Sequence, residues 1–208
     1  MRRRSFIVVA PAFLAASSVA ARSADARTRP DIGTLAPSFT AQDISGRPVR
    51  LQDNVGRLTV LEWSNPDCPF AGKHYASGTM QQLQDSTRSR GGAWYTVLSL
   101  PPGSFGHVDA LEAEAMIERR RSRATATLLD SSTEVAGLYG ALATPHIFIV
   151  DPAGRLAYQG GVDSIASTKV EDIPRAVPYV RNALDALAEG RAIDPAVTRP
   201  YGCPIKVV

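Results

Sequence analysis

Two cysteines, Cys68 and Cys203, are the residues of this chain best equipped for covalent chemistry. Cys68 stands in Trp63-Ser64-Asn65-Pro66-Asp67-Cys68-Pro69-Phe70, directly after the apolar run Leu58-Thr59-Val60-Leu61. A strand ending in such a turn, with Pro69 suited to the first position of a helix, aims the thiol at a helix N-terminus. There the macrodipole and the unpaired backbone N–H groups favour thiolate over thiol, and the thiolate is the nucleophile. The stretch therefore points to redox chemistry. The plainer alternative is a buried cysteine serving as a small apolar side chain. The prolines and turn residues around it argue against that reading, because they do not suit the interior of a strand or helix.

Cys203 lies in Gly202-Cys203-Pro204, 135 residues after Cys68, so only the fold could bring the two together. An even cysteine count in an oxidising compartment would allow a Cys68–Cys203 disulfide. His74, His107 and His146 are the remaining soft ligands, but none of the spacings among them and the cysteines suits a metal, and neither a metal nor a cofactor is expected. His146, beside Pro145, could approach Cys68 and assist its ionisation, or simply cap a local hydrogen bond. Lys73 could also lower the thiol pKa. Trp63 and Phe70 read as packing around the turn rather than as substrate stackers.

The elements that must position these residues alternate between strand and helix. Ser38–Gln42 and Pro48–Leu51 are short strands around Asp43-Ile44-Ser45-Gly46, a hairpin turn. Leu58–Trp63 has the length of a buried strand, and a helix is expected from Pro69 to about Ser86. Ala93–Leu100 is the next strand. Val108–Arg121 has helical periodicity, with Leu111, Ala115 and Met116 inward. Ala126–Leu129 is a strand and Ser132–Tyr139 a short helix. In Ala143-Thr144-Pro145-His146-Ile147-Phe148-Ile149-Val150, Pro145 should stand at the start of its strand, since it lacks a ladder donor. Asp151–Gly154 is a turn and Arg155–Gln159 the partner strand. A last helix carries Val177, Val180, Leu184 and Leu187 and stops at Gly190. This order indicates an α/β fold with a mixed central sheet flanked by helices.

Residues 1–26 read as an export signal peptide: Arg2-Arg3-Arg4, then an apolar, small-residue stretch, then cleavage signals at Ser18-Val19-Ala20 or Ala24-Asp25-Ala26. Arg3-Arg4-Ser5-Phe6-Ile7 also fits the core of a twin-arginine signal. Export places the mature chain in the periplasm or otherwise outside the cytoplasm. The net charge of +3 comes from 23 basic and 20 acidic residues. Removing residues 1–26 takes away four arginines and one aspartate, leaving 19 of each. The basic balance thus belongs to the signal and gives no reason to expect nucleic acid. Arg119-Arg120-Arg121 with Arg123 reads as a solvated helix end, where base complements the dipole. The expected organisation is a signal at 1–26, one domain at 27–190 and a tail at 191–208 carrying Cys203.

The residues from about Gly33 to Gly190 resemble the thioredoxin-like superfamily, most closely its redoxin branch of AhpC/TSA and peroxiredoxin-like proteins. Gly33-Thr34-Leu35-Ala36-Pro37-Ser38-Phe39 with Asp43-Ile44-Ser45-Gly46 is similar to the redoxin N-terminal β-hairpin extension, and Leu58–Phe70 to the strand, active-site turn and helix start. Thr144-Pro145 resembles the cis-proline loop that packs against the active-site cysteine, and Asp151–Gly154 the turn that follows. The departures bear on mechanism. A Cys-x-x-Cys pair would need a second cysteine where Ala71 stands. Typical peroxiredoxins carry their peroxidatic cysteine at the Ala71 position, a threonine at the Cys68 position and a proline at the Ser64 position. The resemblance thus implies the fold and a nucleophile at Cys68, with Pro69, Thr144, Pro145 and His146 as its supporting loop, but weak or no peroxidase activity. Thr198–Lys206 resembles C-terminal tails of peroxiredoxin-like proteins, which implies a resolving role for Cys203. A permanent structural staple is the competing reading, in a non-catalytic binding or scaffold module. The expected partners are protein disulfides or small oxidised thiols together with an external thiol reductant, with no stable membrane span after signal removal.

Overall fold

The structure is a computed structural model that describes residues 29–208. The expected signal peptide lies outside the described residues. A seven-stranded mixed sheet is built from β1 (Thr40–Asp43), β2 (Pro48–Arg50), β3 (Thr59–Trp63), β4 (Ala93–Leu98), β5 (Ala126–Leu129), β7 (His146–Val150) and β8 (Leu156–Gly160), in the order β2-β1-β5-β4-β3-β7-β8. β3, β4 and β5 run parallel, and the flanking pairs are antiparallel. A separate two-stranded ladder joins β6 (Ala143–Thr144) to β9 (Cys203–Pro204). The helices are α1 (Pro69–Ala76), α2 (Thr79–Ser89), α3 (Ala110–Arg120), α4 (Glu134–Tyr139) and α5 (Tyr179–Ala188).

Strand periodicity divides the core. On β3, Leu61 and Trp63 point to one face, where they meet Tyr95, Val97, Tyr139 and Phe148. Val60 points to the other, joining Trp94, Ile147, Ile149, Tyr75, Met80, Leu83, Val180 and Leu184. Trp63 is fully buried, with ring centroids 5.4 Å from Tyr139 and 5.1 Å from Phe148. Burial of each such large side chain contributes about 1.5–3 kcal/mol. The N-terminal hairpin is fixed by Asp43, whose carboxylate accepts from the Ser45 and Arg47 amides and from the Ser45 hydroxyl at 2.6 Å.

Three expectations about the helices are corrected. The helix expected from Pro69 to Ser86 is two helices, parted where Gly78 takes φ +80. In α3 the inward residues are Ala113, Met116 and Arg120, whereas Leu111 is 73% exposed and Ala115 faces solvent. The core-facing stripe thus advances by 3 and then 4 residues from Ala113. Val177 precedes α5 and is exposed, while Val180 and Leu184 are buried.

Candidate functional site

β3 delivers the chain to a turn that is held from several sides. The Asn65 side-chain oxygen accepts from the Asp67 amide at 2.8 Å, and the Asn65 amide group donates to the Phe105 carbonyl at 3.1 Å. Arg120 reaches across from α3. It donates to the Ser64 hydroxyl at 3.0 Å, the Asn65 carbonyl at 2.7 Å and the Pro66 carbonyl at 3.0 Å, with its guanidinium 4.7 Å from the Tyr75 ring centroid. This corrects the reading of the arginine run as a wholly solvated helix end. Arg119, Arg121 and Arg123 are exposed, but Arg120 is the organiser of the turn. Its spacing from Ala113 and Met116, two residues of plain helix-core type, was the signal that could have found it.

Cys68 is the N-cap of α1 and Pro69 its first residue, as the motif predicts. The thiol is 1% exposed and donates to the Thr144 carbonyl at 2.8 Å. The Thr144-Pro145 peptide is cis, as expected, and lies beside Cys68. Antiparallel pairing sets Thr144 opposite Cys203, so the two cysteines, distant in sequence, meet at this loop. Both are free thiols.

Their environments differ in sign. Burial tends to raise the Cys68 pKa. The Cys203 thiol, the Thr144 hydroxyl and the Ala71 and Cys203 amides together outweigh it and hold Cys68 below the ordinary thiol value. For Cys203, burial and the hydrogen bond and charge of Cys68 all push upward, to about 12. Of the two, Cys68 is the one whose surroundings favour the thiolate.

The segment carrying Cys203 is tied down along its length. The Gln159 amide donates to the Ala196 carbonyl and the Thr198 amide to the Gln159 carbonyl, both at 3.0 Å. The Thr198 hydroxyl lies 2.6 Å from that of Tyr158. Gly202 is required by contact: a Cβ there would stand 1.9 Å from the Thr144 carbonyl oxygen, and its φ is +139. Tyr201 is the side-chain anchor. Its ring sits edge-on to Phe70 at 6.0 Å, the Lys73 ammonium lies 5.1 Å from the ring centroid, and its hydroxyl donates to Asp163. The segment presenting the Cys203 thiol is therefore anchored by side chains as well as by backbone pairing.

Lys73 and His146 make contacts of their own. Lys73 is buried, 3.3 Å from Asp163 and donating to the Ile165 carbonyl at 2.8 Å, so its charge serves the Tyr201 anchor. The His146 Nδ1 accepts from the Leu142 amide at 3.2 Å and its ring packs 4.4 Å from Phe148, which is the local-cap alternative. Burial and the Arg29 charge lower its pKa to about 3, so the ring is neutral. His74 lies 3.2 Å from the Tyr201 hydroxyl, and burial, opposed by Asp163 and assisted by Lys73, lowers its pKa to about 4. His107 binds the Leu100 carbonyl at 2.7 Å. Trp63 is core, and Phe70 packs on the tail. Sequence reasoning missed Asp163 and Tyr201, because a loop carboxylate and a tail tyrosine carry no periodic signal.

Among the described residues no cluster of His, Cys, Asp and Glu could hold a metal ion, and no helix is long and apolar enough to cross a membrane. The profile of the AhpC/TSA family matches residues 32–159. No curated protein matches the chain. Among solved structures, a hypothetical protein from Sinorhizobium meliloti 1021 superposes with a TM-score of 0.71 at 23% identity, over 87% of this chain and 97% of that one. An uncharacterized conserved protein from Geobacillus kaustophilus gives 0.70 at 25% identity, over 85% and 92%. The thioredoxin domain of a thiol-disulfide oxidoreductase from Bacteroides vulgatus gives 0.52 at 19% identity, over 70% and 97%. The architecture is thioredoxin-like.

Proposed function

This chain belongs to the AhpC/TSA family, and from that premise we propose that it is an exported thiol-disulfide redox protein with Cys68 as nucleophile and Cys203 as resolving thiol. The observation that carries the proposal is the pairing of Thr144 with Cys203 directly over the Cys68 thiol. The Cys68 thiolate attacks one sulfur of a substrate disulfide, the substrate S–S bond breaks with its other sulfur leaving as thiolate, and a mixed disulfide forms. The Cys203 thiolate then attacks Cys68 Sγ, releasing the substrate as a thiol and leaving a Cys68–Cys203 disulfide. An external thiol reductant restores the pair. Protein disulfides or small oxidised thiols are the substrates. Export rests on residues 1–26 and places the protein in the periplasm or beyond, with residues 27–190 as the domain and 191–208 as its tail. Catalysed peroxide removal is slow, because Ala71 occupies the usual peroxidatic position.

A second reading has its own support. Cys68 is buried and the tail is anchored, which suits a structural Cys68–Cys203 staple in a scaffold module. One pair of variants separates the two. Under the exchange reading, Cys68→Ser abolishes disulfide reduction, and Cys203→Ser traps mixed disulfides at Cys68 while thermal unfolding changes little. Under the staple reading, Cys203→Ser traps nothing, and the oxidised wild type loses roughly 4–5 kcal/mol of stability on reduction, the chain-entropy value for so long a loop. A non-reducing gel and unfolding with and without reductant decide the matter.

A further inference from the structure

The anchored tail also displays which side chains the edge of β6 accepts. Opposite Thr144 stands a cysteine, with its thiol against Cys68. One residue earlier the backbone comes so close to the Thr144 carbonyl that a Cβ would collide with it at 1.9 Å. Two residues earlier an aromatic ring fills a slot formed by Phe70, the Lys73 ammonium and the Asp163 carboxylate, where the hydroxyl of Tyr201 finds its acceptor. The ladder between β6 and β9 is made of backbone contacts, which any extended strand can supply. The slot and the collision are what discriminate between strands.

Resting on the exchange reading above, we propose that the β6 edge is a client-strand groove. It takes, in trans, disulfide-bearing segments with the pattern aromatic, glycine, cysteine, and residues 201–204 are its resident occupant. An incoming client displaces those residues and pairs with Ala143–Thr144. The Cys68 thiolate attacks the client cysteine sulfur, a Cys68–client bond forms, and the client's own S–S bond breaks, its second sulfur leaving as thiolate with the electron pair. When the tail pairs again, the Cys203 thiolate attacks Cys68 Sγ, the Cys68–client bond breaks, and the client cysteine leaves as thiolate. Two electrons have passed from the two protein thiols to the client disulfide, and a dithiol reductant returns them. Because the edge holds one strand at a time, closure of the Cys68–Cys203 bond and ejection of the client are a single event.

The test uses the full chain carrying Cys203→Ser, so that exchange stops at the mixed disulfide, with Cys203→Ala as a second background. The probes are the octapeptide of residues 198–205 with its cysteine joined to 2-thiopyridine, the same peptide with alanine in place of its tyrosine or of its glycine, and an N-acetylcysteine carrying the same leaving group. Release of the pyridinethione gives the rate, and mass spectrometry locates the adduct at Cys68. Loss of the aromatic contact should slow the reaction by up to about tenfold. The alanine at the glycine position should slow it further, because that side chain has no room beside the Thr144 carbonyl. Equal rates for all three peptides, alongside reaction of the N-acetylcysteine probe, overturn the groove and leave the exchange reading standing. Selectivity at only one position overturns the pattern. No adduct with any probe, the small one included, overturns the exchange reading and the groove with it.

Discussion

The turn that carries Cys68 and the tail that carries Cys203 present the same functional group by opposite means. The turn is held from beneath by one buried arginine whose planar fork meets a hydroxyl and two carbonyls in fixed positions. The tail is held from the side by scattered contacts, among them Tyr201 on Asp163, Thr198 on Tyr158 and two residues of backbone pairing. Burial together with the neighbouring Cys68 raises the pKa of the second thiol to about 12, while the same shared hydrogen bond helps to lower that of the first. A rigid support and a divisible one thus hold two thiols whose acidities are pushed in opposite directions.

The largest effect should follow from breaking the rigid support. Arg120→Ala leaves two carbonyls and a hydroxyl without their charged donor and should cost about 3 kcal/mol, read by urea unfolding. Arg120→Lys retains the charge but not the fork and should recover only part of it. A cost for Arg120→Ala below that of loosening the tail would invert the comparison.

A pH series sharpens the contrast, since one buried histidine stands on each side of it. His74 lies under the tail and His146 on the strand opposite Trp63. Both are neutral when folded, with pKa values of about 4 and about 3. Below the ordinary histidine value of about 6.5 the unfolded chain binds protons that the folded chain refuses. Stability therefore falls with falling pH, by about 1.4 kcal/mol per pH unit for each ring. Between pH 6.5 and 4, His74→Gln and His146→Asn should each flatten that slope by about one proton in denaturant titrations. An unchanged slope would detach that histidine from its region.

The smallest effect belongs to a single tie of the tail. Tyr201→Phe removes one hydroxyl from Asp163 and should cost about 1 kcal/mol. In the same variant Cys203 should be alkylated faster than in the wild type, while the turn keeps its resistance to unfolding. An unchanged alkylation rate would mean that backbone pairing alone holds the tail.

How much of this could be read in advance follows from the kind of interaction involved. The apolar run Leu58–Leu61 and the cysteine and proline after it are contiguous, so strand and N-cap were legible, while the cis-proline loop at Thr144-Pro145 followed from the family resemblance. The break at Gly78 was not, because one glycine within a helical pattern costs only about 1 kcal/mol and its φ depends on how the two helices pack. Arg120 was misread because charge suggested solvent, while the turn it serves lies more than fifty residues away. The meeting of Cys68 with Cys203 and the Asp163–Tyr201 contact depend on where the final segment crosses the molecule, which no local pattern specifies.

The tail has a further effect at the other end of its course. β8 is the outer strand of the sheet, and residues 196–198 cover part of its free rim through Gln159. An uncovered strand rim is a template on which copies of a protein stack into aggregates. The segment covering the rim and the segment lying over Cys68 are separated only by Arg199 and Pro200. The last residues of the chain thus cover two features at once, part of the outer rim at 196–198 and the Cys68 thiol at 201–204.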